Sequence, residues 1–142
     1  MNSIIKTALA AASLALICQH AQAQSVAAAP LPTPKFDAKG IARTETVRDA
    51  FDATREAIQV RVDFANGASF PKHSHPGVEI AYVLSGVIEY ELNGKTVRLR
   101  AGESIYIPAG AVHSAKNVAS GTTSELATYV VEKGKPIVIL DK

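Results

Sequence analysis

The sequence predicts an all-β domain, a sandwich or barrel of short strands, and three observations carry that prediction. Ile58, Val60, Val62 and Phe64 alternate with Gln59, Arg61 and Asp63, the period of two that sets one face of a strand against a core. Val87–Leu92 and Lys95–Leu99 flank Asn93-Gly94, the dipeptide best suited to a two-residue hairpin turn. From Ile41 onward, turn residues recur about every eight to twelve positions, a spacing typical of all-β sandwiches and barrels.

The chain has 142 residues, and its start reads differently from the rest. Lys6 follows a polar opening, Thr7 to Cys18 is apolar and small, and Ala21-Gln22-Ala23 offers a small-x-small cleavage site. Residues 1–23 therefore read as a secretory signal peptide, which implies export to a periplasm or to the outside. The apolar core is about a dozen residues, too short for a spanning helix. Bulky Leu16 and Ile17 precede Cys18 where a lipoprotein signal needs small residues, so no stable membrane anchor is expected. Residues 24–40 are rich in Ala and Pro, with Pro30, Pro32 and Pro34 alternating, and read as a flexible linker or surface arm. Residues 41–142 form the β domain.

Within it, Thr46 to Glu56 admits a helix or a strand, with strand favoured. The alternating segment from Ile58 to Phe64 ends at an Asn66-Gly67 turn, and Ile80 to Leu84 is a continuous apolar strand. After the Asn93-Gly94 hairpin, Ser104 to Ile107, Val112 to Ala115 and Leu126 to Val131 are further strands, and Ile137 to Leu140 is a last edge strand. The polar run Thr122, Thr123 and Ser124 reads most simply as a loop.

Charge bounds the partners. With 15 Lys and Arg against 13 Asp and Glu, and one of those Lys in the leader, nothing favours nucleic acid or an anionic membrane. The single cysteine, Cys18, also lies in the leader. The β domain thus has no thiol for a disulfide, a nucleophile or a metal.

Chemistry concentrates in the histidines. Of four, His20 lies in the leader; the others are His73, His75 and His113. His73 and His75 are two apart, so on a strand both leave the same face. Glu79 follows, past a Pro76-Gly77 interruption that prevents alternation from placing it. Three imidazoles and a carboxylate are a common set for a divalent transition metal. A lone His would more simply be an ordinary surface or core residue; the agreement of all the spacings argues against that here.

These spacings fall in two segments. One runs from Gly67 through His73, His75 and Glu79 to Gly86. The other runs from Gly102 through Pro108, Gly110 and His113 to Asn117. They match every position of the two motifs of the cupin superfamily, which the chain resembles from about Ile58 to Val131. The resemblance implies a double-stranded β-helix, or jelly-roll barrel. It also implies a metal held between the sheets by His73, His75, Glu79 and His113, and a homodimer. Asn117 reads as a turn-capping residue rather than a ligand.

Four protein ligands leave two positions of a six-coordinate ion open for water, dioxygen or a substrate. The ion could be Mn, Fe, Ni, Cu, Co or Zn. Glu79 could stay a ligand or act as a catalytic general base. With Ala81, Val83, Ile105 and Ile107 beside Glu79, the pocket is expected to be apolar, with few ion-pairing groups. Tyr82, Tyr90, Tyr106 and Tyr129 are candidate polar handles, though packing is the commoner role of each. Lys72 could steer an anion or simply be solvated. Three functions follow: a dioxygenase-like or isomerase/lyase-like enzyme on a small apolar or phenolic enolisable compound; a non-catalytic module that binds a metal or small ligand; or a barrel that the metal only stiffens.

Overall fold

The computed structural model describes residues 33–141. The expected signal peptide, and residues 24–32 of the expected linker, lie outside the described residues. Residues 33–40 carry no strand and end in a turn where the Asp37 carboxylate accepts the N–H groups of Lys39 and Ile41 at 2.8 and 2.9 Å.

The strands are β1 Ile41–Ala50, β2 Arg55–Phe64, β3 Ser69–Ser74, β4 Gly77–Ser85, β5 Val87–Leu92, β6 Lys95–Arg100, β7 Ser104–Ile107, β8 His113–Asn117, β9 Thr123–Glu132 and β10 Ile139–Leu140. There is no helix among the described residues, so Thr46–Glu56 resolves into the end of β1, a turn and the start of β2. The strands form two five-stranded antiparallel sheets, ordered β1-β2-β9-β4-β7 and β10-β3-β8-β5-β6. This is the jelly roll that the motifs implied.

Alternation places the core. Ile58, Val60, Val62 and Phe64 on β2, Ala81 and Val83 on β4, and Ala127, Tyr129 and Val131 on β9 are all buried. Ile88 and Tyr90 meet them from the other sheet. On β4 the intervening Ile80, Tyr82 and Leu84 are exposed, so a run that looked uniformly apolar still has an inside and an outside. The β5–β6 hairpin turns on Asn93 and Gly94, both with positive φ (51° and 73°), as a type I′ turn requires.

The expected loop at residues 122–124 is corrected. Thr123 and Ser124 begin β9 and are buried. Their hydroxyls find partners inside: Thr123 donates to the Asn117 side chain at 2.8 Å, and Ser124 donates to Asp63. Gly86 makes room for Thr123, whose Oγ1 would lie 2.1 Å from any Cβ added there.

Asn117 is the polar knot of this end of the barrel. It is 1% exposed. Its amide N–H groups are shared among the carbonyls of Phe64, Ala65 and Gly121 at 3.1, 2.9 and 2.7 Å. Its carbonyl accepts the N–H of Ala119 at 2.9 Å as well as the Thr123 hydroxyl. One side chain thus ties the end of β2 to β8 and the start of β9. Asn117→Ala strands several buried polar groups, each costing about 1–3 kcal/mol. We expect a loss of about 3 kcal/mol in urea unfolding; a loss below about 1 kcal/mol would show that water replaces these bonds.

Candidate metal centre

The four predicted ligands come from both sheets. His73 lies on β3 and His113 opens β8, and the two are directly paired in register. His75 follows just past the end of β3, and Glu79 comes from β4 in the other sheet. All four are buried, and one donor atom from each lies within 4.8 Å of all the others. Gly77 allows β4 to reach this position: a Cβ there would stand 2.1 Å from the Val130 carbonyl oxygen. Only a glycine lets the chain pass so close to β9 and then aim Glu79 inward.

The protons on the imidazoles are fixed by their surroundings. His73 Nδ1 meets the Pro71 carbonyl at 2.8 Å, His113 Nδ1 meets that of Ala111 at 3.0 Å, and His75 Nδ1 meets that of Ile137 at 2.5 Å. A carbonyl only accepts, so each neutral ring carries its proton on Nδ1 and turns a bare Nε2 lone pair inward. Burial first, and the neighbouring His113 second, lower the pKa of His73 to about 4, which keeps that ring neutral.

Glu79 Oε2 lies 2.8 Å from His75 Nε2 and 3.2 Å from His113 Nε2. Burial pushes the Glu79 carboxyl up, but hydrogen bonds from His113 and His75, when those rings carry a proton on Nε2, outweigh burial and hold it at about 2. A bound cation would take the place of those protons. With only the Nδ1 protons present, these are acceptors facing acceptors, and neither His75 Nε2 nor Glu79 Oε2 has a hydrogen-bond partner. Unpartnered buried acceptors are costly, and a cation among them removes that cost. The donor set fits a divalent transition-metal ion.

A family model described as Cupin domain matches residues 60–132. The chain belongs to the cupin family. It is 38% identical over 77 residues to germin-like protein 1-1 of Oryza sativa subsp. japonica, an alignment covering 49% of this chain and 35% of that protein. The cupin thus spans about a third of the length of the germin-like relatives it matches. Among solved structures, a double-stranded β-helix protein of Klebsiella pneumoniae aligns with TM-score 0.62 and 20% identity, over 77% of this chain and 90% of that one. An oxalate oxidase in complex with glycolate aligns with TM-score 0.59 and 24% identity, over 73% of this chain and 56% of that one.

The walls of this cupin's cavity differ from the expectation. Val62, Phe64, Phe70 and Ala115 supply an apolar side, but Arg43, Tyr90, Glu125 and Tyr129 also line it. Ala81, Val83 and Ile107 are packed in the core instead, and the cavity's polar groups come from β1, β5 and β9. Tyr82 and Tyr106 face outward. Lys72 is exposed and ion-paired with Glu91 at 2.8 Å. Glu125 had no sequence signal beyond a two-residue offset from Ala127 and Tyr129 on β9. It is buried and accepts a hydrogen bond from the Tyr90 hydroxyl. Burial first, and the charge of Glu79 second, raise its pKa to about 8.

A folded pKa raised above the unfolded value stabilises below the latter, and that stability is lost as pH rises through the former. For Glu125 the window runs from 4.5 to about 8. The His73 window, from about 4 to 6.5, lies lower. In metal-free protein, unfolding free energy should therefore fall by about 1 kcal/mol per pH unit between pH 6.5 and 8, and Glu125→Gln should flatten that slope. Equal slopes for the two proteins in urea titrations would show that Glu125 is already ionised.

Proposed function

We propose that this domain is a metal-dependent cupin enzyme whose ion is held by His73, His75, Glu79 and His113. It acts on a small enolisable compound in a dioxygenase-like or isomerase/lyase-like reaction. The observation that carries the reading is the meeting of three lone-pair-bearing imidazoles and an ionised carboxylate, with the ring protons drawn off to backbone carbonyls. A bound divalent ion would supply Lewis-acid polarisation of a carbonyl or enolate oxygen. The chain's own groups do the rest. The Pro71, Ala111 and Ile137 carbonyls orient the imidazoles. Phe64, Phe70 and Val62 keep one wall dry. Glu125 and Tyr90 hold a proton within the cavity. Similarity to germin-like proteins supports a metal-binding reading. We also propose export through residues 1–23 and a homodimer joined along the β10 edge, whose Ile139 and Leu140 are exposed.

Protein purified after reconstitution should carry about one equivalent of a transition metal by mass spectrometry. Free metal at 100 times its Kd should add about 2.7 kcal/mol of stability. His113→Ala should abolish both, along with any dioxygen uptake or conversion of diketones across a substrate panel. Less than about a tenth of an equivalent in the wild type would sink the reading. A metallated protein that turns over nothing but binds ligands would make it a binding module. Export is checked by N-terminal sequencing of periplasmic or secreted protein, which should begin at Gln24; retention of residues 1–23 would refute cleavage.

A further inference from the structure

One cavity group is used neither by the proposed metal ligands nor by the core. Arg43 lies on β1 opposite Val62, two residues after buried Ile41, which faces Phe64. Opposed residues of an antiparallel pair share a face, so Arg43 lies on the cavity side of its sheet; it is itself exposed and lines the cavity at its open mouth. We propose that Arg43 is an anion anchor at the cavity mouth. It takes the carboxylate of a small organic acid whose remaining oxygen functions point toward the His73, His75, Glu79 and His113 cluster. The inference deepens the metal-dependent reading and rests on it only for the far end of that acid.

The guanidinium is held in place without being neutralised. Its Cζ lies 5.7 Å from the centroid of the Phe70 ring, within cation–π range. Phe70 in turn packs edge-on against His73, with ring centroids 4.6 Å apart. One aromatic ring therefore bridges the guanidinium and the first histidine of the cluster. Arg48, Arg55, Arg61 and Arg98 each have a carboxylate partner; among the described residues, Arg43 and Arg100 have none, and of those two only Arg43 lines the cavity. Besides Glu79, which belongs to the histidine cluster, Glu125 is the acidic group that lines the same cavity. It makes no ion pair with Arg43 and is committed to the Tyr90 hydroxyl. Burial and the Glu79 charge favour its neutral form and outweigh Arg43, which pulls Glu125 toward its ionised form. No carboxylate pairs with Arg43, whose charge faces the cavity mouth.

The ligand class follows from the fork and the space. A guanidinium binds a carboxylate through two parallel N–H···O bonds, a geometry that an amide or alcohol does not reproduce. The cavity is narrow and opens to solvent at its mouth, so the ligand lies across the mouth rather than filling an enclosed pocket. That favours an acid of a few carbons over a nucleotide or a sugar phosphate.

The test is calorimetric titration with lactate and with its uncharged counterpart lactamide. It is run on the Mn²⁺-loaded and the chelator-treated protein, in the wild type, Arg43→Met and Arg43→Lys. We expect lactate to bind the loaded wild type at least tenfold tighter than lactamide. Arg43→Met should bring lactate to the level of lactamide without changing the latter, and Arg43→Lys should fall between. In the metal-free protein lactate should bind more weakly but with the same dependence on Arg43. Lactate affinity within twofold of wild type in Arg43→Met, or no preference for lactate in the wild type, overturns the anchor. Stoichiometric metal in that same protein would leave the metal reading standing. Conversely, a chain that takes up no metal yet prefers lactate through Arg43 keeps the anchor and overturns the metal reading. Should Arg43→Met fail to fold, Arg43→Lys and salt decide: rising NaCl must weaken lactate and spare lactamide.

Discussion

The site depends on where three ring protons go. Each of His73, His75 and His113 gives its Nδ1 proton to a backbone carbonyl, and only then do the Nε2 lone pairs converge. Two of these carbonyls are local, belonging to Pro71 and Ala111, each two residues before its histidine. Strand geometry supplies them almost automatically. The third, from Ile137, comes from 62 residues beyond His75. Ile137 leads into β10, which pairs with β3 through Ser74 and His73. The chain's last strand is therefore part of the centre: it holds the segment that fixes the His75 tautomer. Loss of that segment would free His75 to rotate and to carry its proton on either nitrogen.

The centre also joins the two sheets. His73 and His113 belong to the sheet containing β3 and β8, His75 follows directly on β3, and the carboxylate belongs to the sheet containing β4. A cation among them would attract both layers, so metal affinity and sheet packing are coupled. That coupling explains why a glycine stands at position 77. The close passage of β4 over the Val130 carbonyl sets the depth from which Glu79 enters. A larger residue would lift the strand and with it the carboxylate. The opposite end of the barrel is held by polar means of another kind, the hydrogen bonds of Asn117, which ask for no ion.

Much of this was legible in the sequence, and the exceptions share one cause. Alternation gave β2, Asn93-Gly94 gave the hairpin, and the histidine spacing gave the cluster, because each is a local pattern with a local geometric meaning. Thr123 and Ser124 read as loop because hydroxyls usually seek water; here Asn117 and Asp63 supply buried partners that are distant in sequence. Arg43 and Glu125 were missed for the same reason. Whether a charged residue on a strand faces in or out depends on its register against neighbours, and neither the Arg43–Val62 nor the Glu125–Val62 pairing leaves a trace in composition. The apolar walls expected from Ala81, Val83 and Ile107 are real apolar residues, but they pack in the core beside the cavity.

The two carboxyls of the cavity show why counting charged residues misjudges such a site. Glu79 and Glu125 are both buried acids on inward faces of neighbouring strands of one sheet. Glu79 is surrounded by imidazoles and is held ionised. Glu125 is buried beside the negative field of Glu79 and is pushed toward the neutral form, against the hydrogen bond from the Tyr90 hydroxyl. Paired acids driven apart in this way commonly divide acid and base roles between them. The division here also sets the cavity's field. If both acids were charged, Arg43 would face an excess of negative charge and the cavity would repel anions. With Glu125 kept neutral chiefly by burial and Glu79 spent on a cation, the guanidinium remains as a positive pole at the mouth, opposite the cluster. The selectivity of the cavity thus rests on burial of one acid as much as on the presence of one base.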